Sequence, residues 1–392
     1  MTLKDVCELL NITKYPDCLE KYYRKPHPVS LCDDNALCML EKEYKLFGEF
    51  SQKISECISE IRKSDALLAY ANASIAYIYE NGIPEAKALP CPTFSDNTPL
   101  SYYRGAILAS LMPSAIESYK ARGFSQEEIH ATLDSVMEKR IKVAEENNQK
   151  SGVDASAFFW LIFYAKSLVF YNGLFNITPK IFDDKAVILK NKNTGEIMPF
   201  ICETTLHKNG GLLGSAGFVD EEGKFEPDFI ECDEYFEGYK IEKALVTHER
   251  VRCYKDEWEK IAYRGSGIAG IHIPRGASIA PNEVEEKLRL ALHMTKKHYP
   301  EFNATAVYCA SWMLDPKLEE LLGAESKLVR FMKKFISFPR LDYGGAIFEF
   351  VFKNRPLDYN DLPENTSLQR KMKQLYLDGG YIYAPGGVAI LD

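Results

Sequence analysis

With 392 residues the chain exceeds the roughly 250–300 at which a single hydrophobic core stops growing, so two domains are expected. A composition that is 46% hydrophobic and 27% charged excludes a disordered chain. The formal net charge of −8 argues against a nucleic-acid binder, which carries a basic stripe, but it leaves room for one anionic ligand at a local site.

The first stretch, Met1 to Glu8, carries acid where a signal peptide needs an apolar run. The ten cysteines are scattered and contain no Cys-x-x-Cys pair, which predicts reduced thiols and a cytoplasmic protein. Leu40, Tyr44, Phe47, Phe50, Ile54, Ile58 and Ile61 recur at three- and four-residue steps, the mark of one buried face on a long helix. Pro84, Pro90, Pro92 and Pro99 predict an extended crossing, and Gly105 and Pro113 punctuate the helices around it. Ser125 and Glu128 form a capping box that starts a helix running to about Asn147. The greasiest segment, Ala157 to Phe170, is interrupted by Lys166 and Ser167. It falls short of the roughly 18 apolar residues of a membrane span and reads as a buried helix, so no membrane partner is expected. Nothing in this helical part, residues 1–172, carries chemistry, and a scaffold or lid is its expected role.

Residues 173–392 change character. Ala186–Leu189 and Ile197–Ile201 flank Asn193-Thr194-Gly195, a hairpin signal, and Gly214–Val219 and Phe225–Ile230 flank Asp220–Gly223, a second one. A short helix at Asp256–Lys260 is expected next. It is followed by strand 267–273, helix 282–298, strand 304–310, helices 316–322 and 326–336, strand 346–352 and helix 367–377, with a last strand pair in 379–391. Antiparallel hairpins followed by β-α-β-α-β predict a mixed sheet flanked by helices.

The junction from Gly267 to His298 is the most informative segment. The strand stops at Pro274, the turn is Arg275-Gly276-Ala277-Ser278, and Pro281 opens an amphipathic helix. A helix start presents unpaired N–H groups and a dipole that favours an anion, glycine admits close approach, and arginine adds charge. That combination suits a phosphate or diphosphate, and it equally suits an ordinary strand-to-helix connection. A nucleotide-hydrolysing loop, a Rossmann fingerprint and a metal-ligand spacing are all missing from the sequence.

Ile271-His272-Ile273-Pro274-Arg275-Gly276 and, further on, Ser311-Trp312-Met313-Leu314-Asp315-Pro316 resemble elements of a family of bacterial two-domain acyltransferases, with an acidic helix between them. That family joins a helical N-terminal domain to a C-terminal domain of the GNAT (Gcn5-related N-acetyltransferase) type. The resemblance implies an α/β (α+β) fold, with 1–172 helical and 173–392 GNAT-like. It implies acetyl-CoA or another acyl-CoA as co-substrate and a small-molecule or peptide acceptor. Strand 267–273 would be the central splayed strand, with the phosphates over Arg275 to Ser278 and the thioester beside the strand. The cofactor-binding set is then Gly270, Ile273, Arg275, Gly276, Ala277 and Ser278. One departure stands out: the Gln/Arg-x-x-Gly-x-Gly/Ala pattern of GNAT loops is matched only at Arg264–Ala269, which precedes the strand.

Acyl transfer from a thioester needs a base for the acceptor, donors for the oxyanion and a proton for the thiolate. His272 shares a strand face with Ile268 and Gly270 and is the first candidate for the base, a buried structural histidine being its alternative. Ser311, at the end of the following strand, is the second catalytic candidate. Asp315 before Pro316 reads as a helix cap, and Trp312 as core. Glu283, Glu285 and Glu286 suit the helix dipole but would repel a nearby phosphate. Two other readings stay open: a non-catalytic acyl-CoA- or ligand-binding module with this fold, and an unrelated α/β enzyme acting on phosphorylated metabolites.

Overall fold

The computed structural model describes residues 1–148 and 151–391. The chain divides into two compact units, Met1–Tyr171 and Asn172–Asp392.

The first unit is helical: α1 (Leu3–Leu9), α2 (Asp34–Tyr44), α3 (Ser51–Arg62), α4 (Asp65–Glu80), α5 (Ile83–Ala88), α6 (Tyr103–Ala121), α7 (Gln126–Leu133), α8 (Val136–Asn148) and α9 (Ala155–Ala165), closed by the short strand β1 (Phe170–Tyr171). The apolar stripe from Leu40 to Ile61 is buried throughout, but it lies on two helices. Lys45 adopts a left-handed conformation, φ 48°, which ends α2, and a 3-10 turn at Gly48–Phe50 leads into α3. The capping box at Ser125 and Glu128 starts α7 as expected. The helix then breaks at Ser135, φ 54°, before α8. Pro113 lies inside α6 and does not separate helices. The greasy stretch forms α9, with Leu161, Ile162 and Phe158 buried. No helix of the described residues is long and apolar enough to cross a membrane.

The second unit comprises β2 (Asn176–Ile181), β3 (Ala186–Asn191), β4 (Ile197–Ile201), β5 (Phe229–Glu231), β6 (Tyr235–Glu242), β7 (Leu245–Tyr254), β8 (Trp258–Ala262) and β9 (Gly267–His272). It continues with α10 (Pro281–His298), β10 (Ala306–Ala310), α11 (Lys317–Leu322), α12 (Lys327–Met332), β11 (Ile336–Phe338), α13 (Ser367–Leu377) and β12 (Gly386–Ala389). One sheet, ordered β5-β6-β4-β3-β8 with β7 on β6, is antiparallel throughout. The other runs β2-β9-β10-β12-β11, and β9 and β10 are its one parallel pair. That pair is joined through α10, as a parallel pair requires a crossover. Phe182, Ile188, Ile201, Ile268, Tyr308, Phe338 and Val388 form a core fed by both sheets. On α10, Val284, Leu288, Ala291, Leu292, Thr295 and the following Tyr299 are all buried, the face expected from the period.

Several expected elements differ. Asp256–Lys260 is a turn leading into strand β8, where Trp258 is buried. The hairpin about Asp220 is irregular; Leu206 bridges to both Leu212 and Phe225. Residues 348–352 form a π-helical turn, because Phe348 and Phe352 both pack on Met372 and Tyr376 of α13, and an apolar run this short fits helix or strand equally. The helix after Ser326 ends at Met332, leaving Ile336–Phe338 to pair as β11, and the chain end holds one strand, β12.

Candidate active site

The site is built on the parallel pair. β9 and β10 are in register at Ile268/Ala306, Ala269/Val307 and Gly270/Tyr308, and their pairing stops there. β9 continues to His272, paired on its other side with Asn176 of β2. β10 continues to Ala310, paired on its other side with Gly386 of β12. The two strands therefore part after Gly270 and Tyr308, each held by its outer neighbour, and the ladder between them extends no further into the gap. Backbone N–H and C=O groups are strong donors and acceptors that a ligand can satisfy.

The start of β9 is tightly specified. A Cβ on Gly267 would sit 1.6 Å from the Phe302 carbonyl oxygen, so only glycine fits. Beyond its end, Ala277 N–H donates to Pro274 C=O at 3.1 Å, and Gly276 has φ 81°, which together define a type II turn with glycine where the backbone requires it. Nothing approaches within 4 Å of a Cβ built on Gly276, so the turn stands open. Arg275, Gly276 and Ser278 are exposed, while Ile273 and Ala277 are half-buried. The turn consumes the Ala277 amide internally. At the N-cap of α10, Ala280 offers no side-chain hydrogen bond, so the first-turn amides remain available. Arg275 carries no ion pair among the described residues.

Of the acidic residues at the start of α10, Glu283 in the first turn carries no ion pair among the described residues, whereas the two that follow are paired. Glu285 is paired with Lys334 and Arg289, which hold its carboxyl below the usual range, and Glu286 lies 3.6 Å from Lys287.

His272 is exposed, and its Nε2 lies 3.2 Å from Thr178 Oγ1. The Thr178 hydroxyl also lies 3.4 Å from the Gly270 carbonyl. If the hydroxyl proton points to Gly270, Nε2 is the donor and Nδ1 holds the lone pair; the opposite arrangement exchanges the two nitrogens. The Thr178 hydroxyl is thus one hydrogen-bond partner of the imidazole. The space beside Gly270 is occupied on this face, where a Cβ would meet the Thr178 hydroxyl at 3.0 Å and the Lys180 side chain at 3.3 Å. Lys180 Nζ in turn sits 4.4 Å from the ring centre of Tyr308. Tyr308 donates to Asp184 at 2.6 Å, and burial together with that carboxylate keeps its hydroxyl protonated.

Ser311 lies just past the end of β10, on the other side of the opening from His272. Its hydroxyl accepts from Met313 N–H at 3.2 Å and caps the turn Trp312–Leu314, a structural engagement that sequence reasoning did not anticipate. Asp315 is buried; one carboxylate oxygen accepts from Lys317 N–H at 2.9 Å, the capping role read from the sequence, and the other accepts from Tyr383 N–H at 3.0 Å. Burial raises its carboxyl to about 6.

The structure places His272 and the Pro274–Ser278 turn at one end of β9 and Ser311 at the same end of β10. It puts Arg264 and Gly265 in the turn before β9, at the opposite end, so the displaced glycine pattern takes no part here. Thr178 and Tyr308 belong to the same neighbourhood but were not singled out from sequence. The alternation in Asn176–Ile181 was their one available signal.

Residues 217–389 match the family model of the GNAT-like C-terminal domain. Solved structures share the fold over the full length of both chains. They include an acyltransferase mutant in complex with octanoyl-CoA (15% identity, TM-score 0.67), an acyltransferase in complex with decanoyl-CoA (16%, 0.64) and one in complex with decanoyl-CoA and teicoplanin (16%, 0.67). The chain thus shares the fold of these solved structures, a helical N-terminal region followed by mixed sheets. No curated protein matches the sequence.

Proposed function

We propose that this protein is an acyl-CoA-dependent acyltransferase, with the thioester in the opening between β9 and β10 and the diphosphate over the Pro274–Ser278 turn. The carrying observation is that parallel pairing ends at Gly270/Tyr308 while both strands run on. Strand amides there suit an oxyanion, and the open turn with its unpaired arginine and uncapped helix suits a diphosphate. The solved acyltransferases of this fold hold octanoyl-CoA, decanoyl-CoA or CoA, which supports the same co-substrate here. The teicoplanin complex of one of them supports a small-molecule acceptor.

In this reading the acceptor's amine or hydroxyl attacks the thioester carbonyl carbon. The new C–N or C–O bond forms, the C–S bond breaks, His272 takes the acceptor's proton, and the coenzyme thiolate leaves to be protonated. Gly270 and Ile273 line the pantetheine side, and Arg275, Gly276, Ala277 and Ser278 the phosphate side. Ser311, engaged as a cap, is retained as a positioning group at the β10 edge. The ten cysteines, none of them in a disulfide, are in keeping with a cytoplasmic site of action.

Calorimetry with CoA, acetyl-CoA, octanoyl-CoA and decanoyl-CoA tests the reading. Binding by the coenzyme, with heat that depends on the acyl chain, is expected. Folded protein that binds none of the four would rule it out.

A further inference from the structure

Separate segments of the second unit enclose a cavity of about 320 Å³ outside the β9–α10 junction. Its walls are aromatic: Phe348 and Tyr359 lie almost parallel (13°, centroids 5.9 Å apart), and Tyr376 meets Tyr381 edge-on at 6.1 Å. Three hydrogen-bond donors belong to it. His207 lines the cavity, and its Nδ1 accepts from Asn209 N–H at 3.1 Å, which leaves the proton on Nε2. Tyr376 is 4% exposed, and its buried hydroxyl has no well-formed hydrogen-bond partner, although the Ile382 backbone lies within its influence. The Arg355 guanidinium packs over Phe348 at 4.9 Å and carries no ion pair among the described residues. The one carboxylate of the lining, Asp220, is matched by Lys208 at 3.4 Å.

The cavity lies toward the end of the sheet where β9 and β10 part. Asp342 accepts from Gly344 N–H, in the cavity wall, and from Ala384 N–H, both at 3.0 Å. The next residue, Pro385, accepts from Ser311 N–H at the end of β10.

A volume at the low end of the roughly 300–1,000 Å³ of ligand pockets suits one ring-bearing group and is too small for a whole coenzyme. A plain alkyl chain would leave the buried Tyr376 hydroxyl and His207 N–H without acceptors, at a cost, and would give the Arg355 guanidinium no partner. An aromatic ring with an oxygen acceptor matches both walls and donors. We propose that the cavity holds an aromatic ring bearing a carboxylate or phenolic oxygen, and that this ring belongs to the acceptor. Its place as an acceptor site rests on the acyl-transfer reading above; its occupancy by such a ring does not.

The test is calorimetry of the full chain with 4-hydroxybenzoate and with cyclohexanecarboxylate, each with and without saturating CoA. 4-Hydroxybenzoate is expected to bind alone and equally well beside CoA, with the saturated ring about tenfold weaker, a loss in the range of an aromatic contact. Arg355→Leu and Tyr376→Phe should each weaken 4-hydroxybenzoate by about tenfold, as loss of one hydrogen bond to a charged group does, with CoA affinity unchanged. Arg355 is exposed, so its variant folds irrespective of Tyr376. No binding of 4-hydroxybenzoate, or binding that ignores both variants, overturns the proposal. Competition with CoA, or variants that weaken decanoyl-CoA but not CoA, overturns it in favour of a coenzyme or acyl-chain pocket. Ring binding by a chain that binds no CoA would keep the ring site and overturn its role as acceptor site.

Discussion

The β9–α10 junction and the aromatic cavity are two ways of making a recognition surface at one end of a sheet. The junction is made from backbone: a type II turn, an uncapped helix start and two strands that part, with Arg275 an unpaired positive charge among the described residues. The cavity is made from side chains that stretches between His207 and Tyr381 bring together. Backbone donors read charge and shape and are indifferent to most substitutions around them. A side-chain cavity reads the identity of its occupant and is sensitive to each group that lines it. The difference suits a coenzyme common to many reactions at the junction and a particular acceptor at the cavity.

Five substitutions sharpen or break that contrast. The largest effect is expected from Gly267→Ala, because the added methyl meets the Phe302 carbonyl. A loss of roughly 3 kcal/mol, the upper end for overpacking, should appear in urea unfolding. A loss under 1 kcal/mol would show that the start of β9 is not rigidly held.

Asp315 supports the cavity side through Tyr383. Its carboxyl is raised to about 6 in the folded chain against 3.8 for the ordinary group, so folding binds an extra proton between those values. Its contribution is full below pH 3.8 and is lost as the pH rises through 6, by up to about 3 kcal/mol. Asp315→Asn should flatten that slope in denaturant unfolding followed from pH 4 to 7. An unchanged slope would assign the pH dependence elsewhere.

On the junction side, His272→Ala should lower turnover by about 100-fold, the low end for a general base, and leave coenzyme affinity intact. Equal activity removes His272 from the chemistry. Arg275→Ala should weaken CoA by about 1–3 kcal/mol as a lost charge-assisted contact, and unchanged calorimetry would place the diphosphate elsewhere. The smallest change is Gly276→Ala. Space is open around it, so only the left-handed backbone opposes a side chain, and about 1–2 kcal/mol of stability should be lost in thermal unfolding. If CoA affinity falls together with stability, the turn is confirmed as part of the phosphate seat.

Much of the junction was legible because its parts are contiguous: an alternating strand, Pro274, a turn glycine and a proline-started helix lie in thirty residues. The buried face of α10 and the caps at Ser125 and Asp315 followed from local spacing in the same way. The spacing at 40–61 shows a buried face and the capping box at Ser125 a helix start, but neither shows the breaks, because Lys45 and Ser135 enter left-handed conformations that no glycine announces. The run at 346–352 was read as a strand because a short apolar segment carries no distinguishing period; packing on α13 made it a helical turn. The cavity left no local trace, since none of its tyrosines differs in sequence context from a core tyrosine.

The order of residues by itself determined what depends on near neighbours: the helical first part, the strand–turn–helix at 267–298, its open glycine turn and the amphipathic face of α10. Tertiary structure alone decided where β9 and β10 part, that Thr178 lies against His272, and that distant aromatic residues enclose one space. The physical reason is range. Turn conformation, capping and periodicity act over a few residues, whereas strand pairing and side-chain enclosure are set by segments far apart in the chain and exist only once the whole unit has folded.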